Sequence, residues 1–147
     1  MTTSSHLPAA RLRGLRRASL AAFVLVLVEY GFGSYVNLYV AIPAADRGSG
    51  IGKAVSDGPA ALGVHAVLGL LLILAALGLL VQAVIARHWP VLAVSAVALF
   101  AVIGAAAEGA SFVSRGQAAA SMTMAVLAGV ALLCYGVALY LTPSRRP

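Results

Sequence analysis

The chain has 147 residues, 62% of them hydrophobic and 10% charged, with a mean hydropathy of +1.00; soluble domains carry roughly 25% charged residues, so a soluble globular fold is excluded and one bilayer-embedded domain is expected. Ten Lys and Arg stand against four Asp and Glu, but the bases flank apolar runs instead of forming a patch, which speaks against a nucleic-acid partner. The single cysteine, Cys134, excludes disulfides and thiolate metal sites within one chain.

Residues 1–10 are small and polar and are expected to be disordered. With Arg11, Arg13, Arg16 and Arg17 they make a basic cytoplasmic tail over residues 1–18. The first apolar run, about 19–42, is much longer than the ~7–15-residue core of a secretory signal, and Ile42 or Pro43 stands where cleavage needs a small residue, so a retained helix is expected. The loop 44–58 is rich in Gly and polar residues and is placed outside. Its segment Gly48-Ser49-Gly50-Ile51-Gly52-Lys53-Ala54 superficially suggests a phosphate-binding loop, but Arg47 holds the leading glycine position and Ala54 the magnesium-binding hydroxyl position.

A second run spans about 59–86, with Pro59 in its first turn, where proline is tolerated. Arg87-His88-Trp89-Pro90 is a short cytoplasmic turn whose tryptophan suits the lipid interface. The third run, about 91–113, is followed by the tight turn Ser114-Arg115-Gly116-Gln117, and the fourth, about 118–141, is closed by Thr142-Pro143 before a cytoplasmic tail over 143–147. Each run exceeds the ~20 apolar residues that cross a bilayer as helix. The expected fold is all-α: a four-helix up-down-up-down transmembrane bundle over residues 19–142. Arg11, Arg13, Arg16, Arg17, Arg87, Arg145 and Arg146 fall on one side, and Arg47, Lys53 and Arg115 on the other. That bias predicts a multi-pass plasma-membrane protein with both termini cytoplasmic.

A faint two-hairpin repeat runs through the spans. Gly33-Ser34-Tyr35-Val36-Asn37 in the first matches Ala110-Ser111-Phe112-Val113-Ser114 in the third, and His65-Ala66-Val67-Leu68 in the second matches Met124-Ala125-Val126-Leu127 in the fourth. His65 and Met124 are then equivalent positions at similar depth.

Ionisable groups inside a bilayer cost several kcal/mol unless paired or hydrated, so each needs a role. Glu29 lies near the middle of the first span, Glu108 near the outer end of the third, and His65 in the second, roughly 10 Å outward of the midplane at 1.5 Å per residue. Glu29, Gly33, Asn37 and Val40 share one helix face; Gly104, Glu108 and Ser111 share another, and Gly58, Leu62, His65 and Gly69 a third. Small residues on these faces let backbones approach or leave room for a ligand. The functional expectation is an outward-opening polar pocket bounded by Glu29, Asn37, His65, Glu108 and Ser111; the alternative is that each group makes an interhelical hydrogen bond that fixes packing. No Ser/His/Asp set, paired-His spacing or CxxC occurs, and His6 and His88 sit in a tail and a turn, so no catalytic constellation is predicted.

The segment His65-Ala66-Val67-Leu68-Gly69, a membrane histidine followed at i+4 by glycine, resembles the haem-ligating helices of membrane b-type cytochromes. The wider arrangement is similar to one half of haem A synthase, a family whose four-helix halves offer one ligand from the second helix and one from the fourth. The resemblance implies haem b with His65 and Met124 as axial ligands, although the family pairs two histidines. Asn37-Leu38-Tyr39-Val40-Ala41-Ile42-Pro43, His65-Ala66-Val67-Leu68-Gly69 and Gly109-Ala110-Ser111-Phe112 also resemble motifs of small four-span membrane proteins of actinobacterial type, over most of the chain. That likeness implies a fold and no activity. Three readings follow: an accessory or structural protein whose polar cluster fixes helix packing or contacts a partner; a haem-binding redox or haem-handling protein; and a small proton-coupled binding or transport protein using Glu29 and His65. The partners in view are the lipid bilayer, a second copy of the chain, or a larger membrane complex.

Overall fold

The computed structural model describes residues 9–40, 51–115 and 118–143. The expectations for residues 1–8, His6 included, for loop residues 41–50 with Arg47, for Gly116-Gln117 and for Arg145 and Arg146 lie outside the described residues. Five helices are present: α1 (Ala9–Tyr39), α2 (Ile51–Asp57), α3 (Ala60–Ala86), α4 (Trp89–Arg115) and α5 (Ala118–Leu141). All but α2 are long and apolar enough to cross a bilayer. The protein is a multi-pass, all-α membrane bundle.

Sequence punctuation sets the helix ends. Pro59 sits just before α3, where its missing N–H costs nothing, and α3 stops where Arg87 adopts a left-handed backbone (φ 51°, ψ 36°). The chain turns at once: His88 N–H bonds back to Ala83 O at 3.1 Å, and His88 Nδ1 accepts from Val91 N–H at 3.4 Å in the first turn of α4. Trp89, placed by sequence in the turn, begins α4 and is exposed.

The basic residues assigned by sequence to a tail lie on α1 itself, which at 31 residues is about 46 Å long against a hydrocarbon core of about 30 Å. Two of them reach neighbouring helix ends. Arg11 Nη1 donates to Ile85 O in the last turn of α3 at 3.3 Å, and Arg16 Nη1 to Thr142 O just past α5 at 3.0 Å. Unsatisfied carbonyls and the negative end of the helix dipole collect there, so guanidinium groups are well placed.

α1 packs against α3 and α5, and α4 packs against the same two, so the four long helices close into a ring. The contacts of Gly33 with His65 and of Gly69 with Glu29 make α1 and α3 antiparallel, and the short α3–α4 and α4–α5 connections make the remaining helices alternate in direction. The basal end thus carries the start of α1, the α3–α4 turn and the end of α5; the apical end carries α2. Large apolar side chains such as Leu38, Phe100, Leu133 and Tyr140 point outward from the ring, as lipid requires. The basal half is filled by Leu15, Ala22, Val26, Leu79, Ala83, Ala98, Ala138 and the fully buried Tyr135. A small second cluster of Val36, Leu62 and Val113 closes the apical end, with Phe32, Val40 and Ala61 against it. Between the two clusters the bundle is hollow.

Candidate functional site

The hollow has a volume of about 300 Å³, and all five helices contribute to its wall. It exists because α4 and α5 present small residues to it: Ala105, Ala106, Gly109 and Ala110 from one, Ser121, Ala125 and Ala128 from the other. Facing them are Val26, Glu29, Tyr30, Gly33, Ser34 and Asn37 of α1 and His65, Ala66 and Gly69 of α3, while Val55 of α2 reaches in at the apical end. The wall is largely apolar with a few polar groups, the usual character of a small-molecule site, and the volume is at the lower bound of the ~300–1,000 Å³ such sites occupy.

Glu29 and His65 meet across the α1/α3 interface, with Nδ1 of the imidazole 2.9 Å from Oε1 of the carboxylate. Their side chains are 12% and 20% exposed. The separation is that of a hydrogen bond, yet Nδ1 has no aligned hydrogen-bond partner and neither does Glu29 Oε2. We take the contact as a close approach of two ionisable groups, held by packing and charge, that leaves one carboxylate oxygen free.

Two glycines hold the pair in place. A Cβ on Gly33 of α1 would stand 2.8 Å from His65 Cε1, and one on Gly69 of α3 would stand 3.2 Å from Glu29 Oε1. Each ionisable residue is followed four positions later by the glycine that admits the other helix's ionisable side chain. The helices run antiparallel, so His65 falls level with Gly33 and Glu29 level with Gly69, and the two notches interlock. Asn37 adds a second tie: its Oδ1 accepts a hydrogen bond from Ser121 Oγ of α5 at 2.9 Å.

Of the residues singled out from sequence, Glu29, Asn37, His65 and Met124 all border the cavity. Met124 Sδ lies 3.2 Å from the position a Cβ on Gly109 would take, so its thioether rests on the α4 backbone. Glu108 and Ser111 are half-buried on α4 and are not part of the wall. Among the described residues Glu108 forms no ion pair with Arg115 or any other base, and Ser111 O accepts a bond from Ser114 Oγ at 3.1 Å within its own helix. Sequence reading missed Tyr30, Ser34 and Ser121 in the wall, and it treated the two glycine spacings separately. The usable signal was their pairing: Glu-x-x-x-Gly and His-x-x-x-Gly on consecutive antiparallel spans.

Among the described residues no three His, Cys, Asp or Glu side chains cluster as a metal site would require. Comparison with protein-family models, with curated proteins and with solved structures gives no match to this chain.

Proposed function

We propose that this membrane protein binds a small, mostly apolar molecule carrying a positive charge or hydrogen-bond donor, with the Glu29–His65 pair as its polar anchor. The observation that carries this reading is the apolar cavity whose one acidic wall residue among the described residues, Glu29, has a carboxylate oxygen without a hydrogen-bond partner beside His65. A cation or donor arriving at the Glu29 carboxylate would find an acceptor that packing already holds beside His65, the kind of intramembrane ionisable pair that marks a ligand or ion path.

The accessory reading draws support from the interlocked notches, since a pair seated so closely in two glycines also fixes α1 on α3. Packing alone leaves the hollow beside the pair without a role. The haem reading draws support from His65 and Met124 bordering one cavity. Its difficulty is charge: among the described residues the wall offers no Arg or Lys to the two carboxylates that haem carries, and Glu29 would repel them. The residues present do not suit that cofactor, and a purified protein is expected to show no Soret band.

The test is a panel of three molecules of one shape, titrated calorimetrically in mild detergent: 1-aminoadamantane, 1-adamantanol and 1-adamantanecarboxylate. The amine should bind most tightly and the carboxylate least. Glu29→Gln should weaken the amine by about 10- to 100-fold, the loss of one charge-assisted hydrogen bond worth about 1.5–3 kcal/mol, and leave the alcohol little changed. Equal affinities across the panel, or no binding at all, would remove the proposal.

A further inference from the structure

Among the described residues both ends of the bundle axis are packed. The buried Val36, Leu62 and Val113 lie together at the apical end, and the alanine-rich core fills the basal end. The sides differ. Three wall residues of α1 (Tyr30, Ser34 and Asn37) are also exposed on the outside of the bundle, Tyr30 by 43%. They stand at i, i+4 and i+7, one stripe along the edge of α1. A residue that borders both a cavity and the exterior marks an opening.

The opening faces α5. The Asn37–Ser121 hydrogen bond sets the register of these antiparallel helices, so Met124 falls level with Ser34, Ala125 with Gly33 and Ala128 with Tyr30, all bordering the cavity. Neither Ser34 nor Met124 fills the seam between them: the serine hydroxyl is turned back to Tyr30 O at 2.8 Å, and the Met124 sulfur is turned toward Gly109 of α4. On the α3/α4 side the wall residues that are also exposed are Leu70 and Ala106, one from each helix, and leucine covers its position. Ala125 and Ala128 lie 7 and 10 residues into α5, about 10–15 Å from its apical end. That is hydrocarbon depth and not water.

We propose that the cavity is entered sideways from the bilayer, between α1 and α5, and that its ligand is a membrane-dissolved amphiphile with an amine head that reaches Glu29 while its tail trails into lipid between Tyr30, Ser34, Ala125 and Ala128. This rests on the binding reading above and adds the ligand class and its route. The Asn37–Ser121 bond acts as the apical clasp of the opening. A cavity near 300 Å³ holds the head and the first part of a chain, and the lateral gap lets the remainder stay in lipid.

The experiment uses dodecylamine with a diazirine in mid-chain, photolysed with the full-length protein in phosphatidylcholine vesicles, and adducts located by mass spectrometry. Adducts should concentrate on Tyr30, Ser34, Ala125 and Ala128, and should fall at least tenfold with Glu29→Gln or excess 1-aminoadamantane. Ser34→Cys, made in a Cys134→Ser background so that it is the single thiol, should lose the seam adducts when capped by a bulky methanethiosulfonate and regain them on reduction. That reversal shows that the capped protein was folded. Adducts spread evenly over all four spans and insensitive to Glu29→Gln would overturn lateral entry. If 1-aminoadamantane nevertheless binds through Glu29, only the route and ligand class fall; if it does not bind, the binding reading falls with them.

Discussion

At Gly33 a single hydrogen atom decides how α1 and α3 meet. An added methyl would lie 2.8 Å from His65 Cε1, closer than carbon atoms pack, and the ring is confined on its other side by Glu29. Gly33→Ala should therefore destabilise the bundle by about 1–3 kcal/mol, the usual cost of overpacking. Gly31→Ala, whose new methyl meets nothing within 4 Å, should be neutral or slightly stabilising in a thermal unfolding scan in detergent. Adding His65→Ala should relieve much of the Gly33→Ala penalty, a coupling that a double-mutant cycle reads directly. Equal effects of the two glycine substitutions would mean that the notch does no packing.

The helices themselves were the most legible part of the chain, because four long apolar runs separated by Pro, Gly and charge have few alternatives in a bilayer. Their ends were less so. The sequence reading stopped the first span's helix at the arginines, yet these continue α1 back to Ala9 because they are needed at the ends of its neighbours: Arg11 at α3 and Arg16 at α5. Composition shows that arginine flanks a span but does not say which carbonyl it meets. Helix α2 escaped notice for a related reason. Seven residues carry too little periodicity to declare a helix, and its position follows from packing on α3 and α4. The capping contacts make a prediction at this scale. Arg16→Gln should cost about 1–2 kcal/mol, the upper part of the range for a partly buried cation at a helix C-terminus. His88→Ala, which removes the weaker 3.4 Å acceptor, should cost less, within the lower part of the ~0.5–2 kcal/mol range of helix caps. Thermal unfolding of both variants in the same detergent would rank them, and the opposite order would show that the turn, and not the arginine, holds the basal end.

At the scale of the whole molecule, the residues most visible in the sequence were those whose chemistry is unusual in lipid, and Glu29 and His65 are found together for that reason. A pocket was legible from its polar residues, but its apolar extent was not. The α4 and α5 side of its wall is largely alanine and glycine, and alanine also packs closely in the basal half, so only the three-dimensional arrangement tells an empty small-residue face from a filled one. Glu108 shows the converse: it looked like part of the cluster, but the rotation of α4 turns it away from the wall. Sidedness is the remaining global property, and the charges argue it. Arg11, Arg13, Arg16, Arg17 and Arg87 gather at the basal end, against Lys53 and Arg115 at the apical end, and clustered bases are retained on the cytoplasmic side. In a Cys134→Ser background, Lys53→Cys on exposed α2 should react with a membrane-impermeant maleimide in intact cells. Arg87→Cys, exposed in the α3–α4 turn, should react only after permeabilisation. The seam between α1 and α5 lies in the apical half, so that outcome opens it toward the outer leaflet and an amphiphile arriving from outside the cell. The reverse labelling would invert the protein and make the cytoplasmic leaflet the source of its ligand.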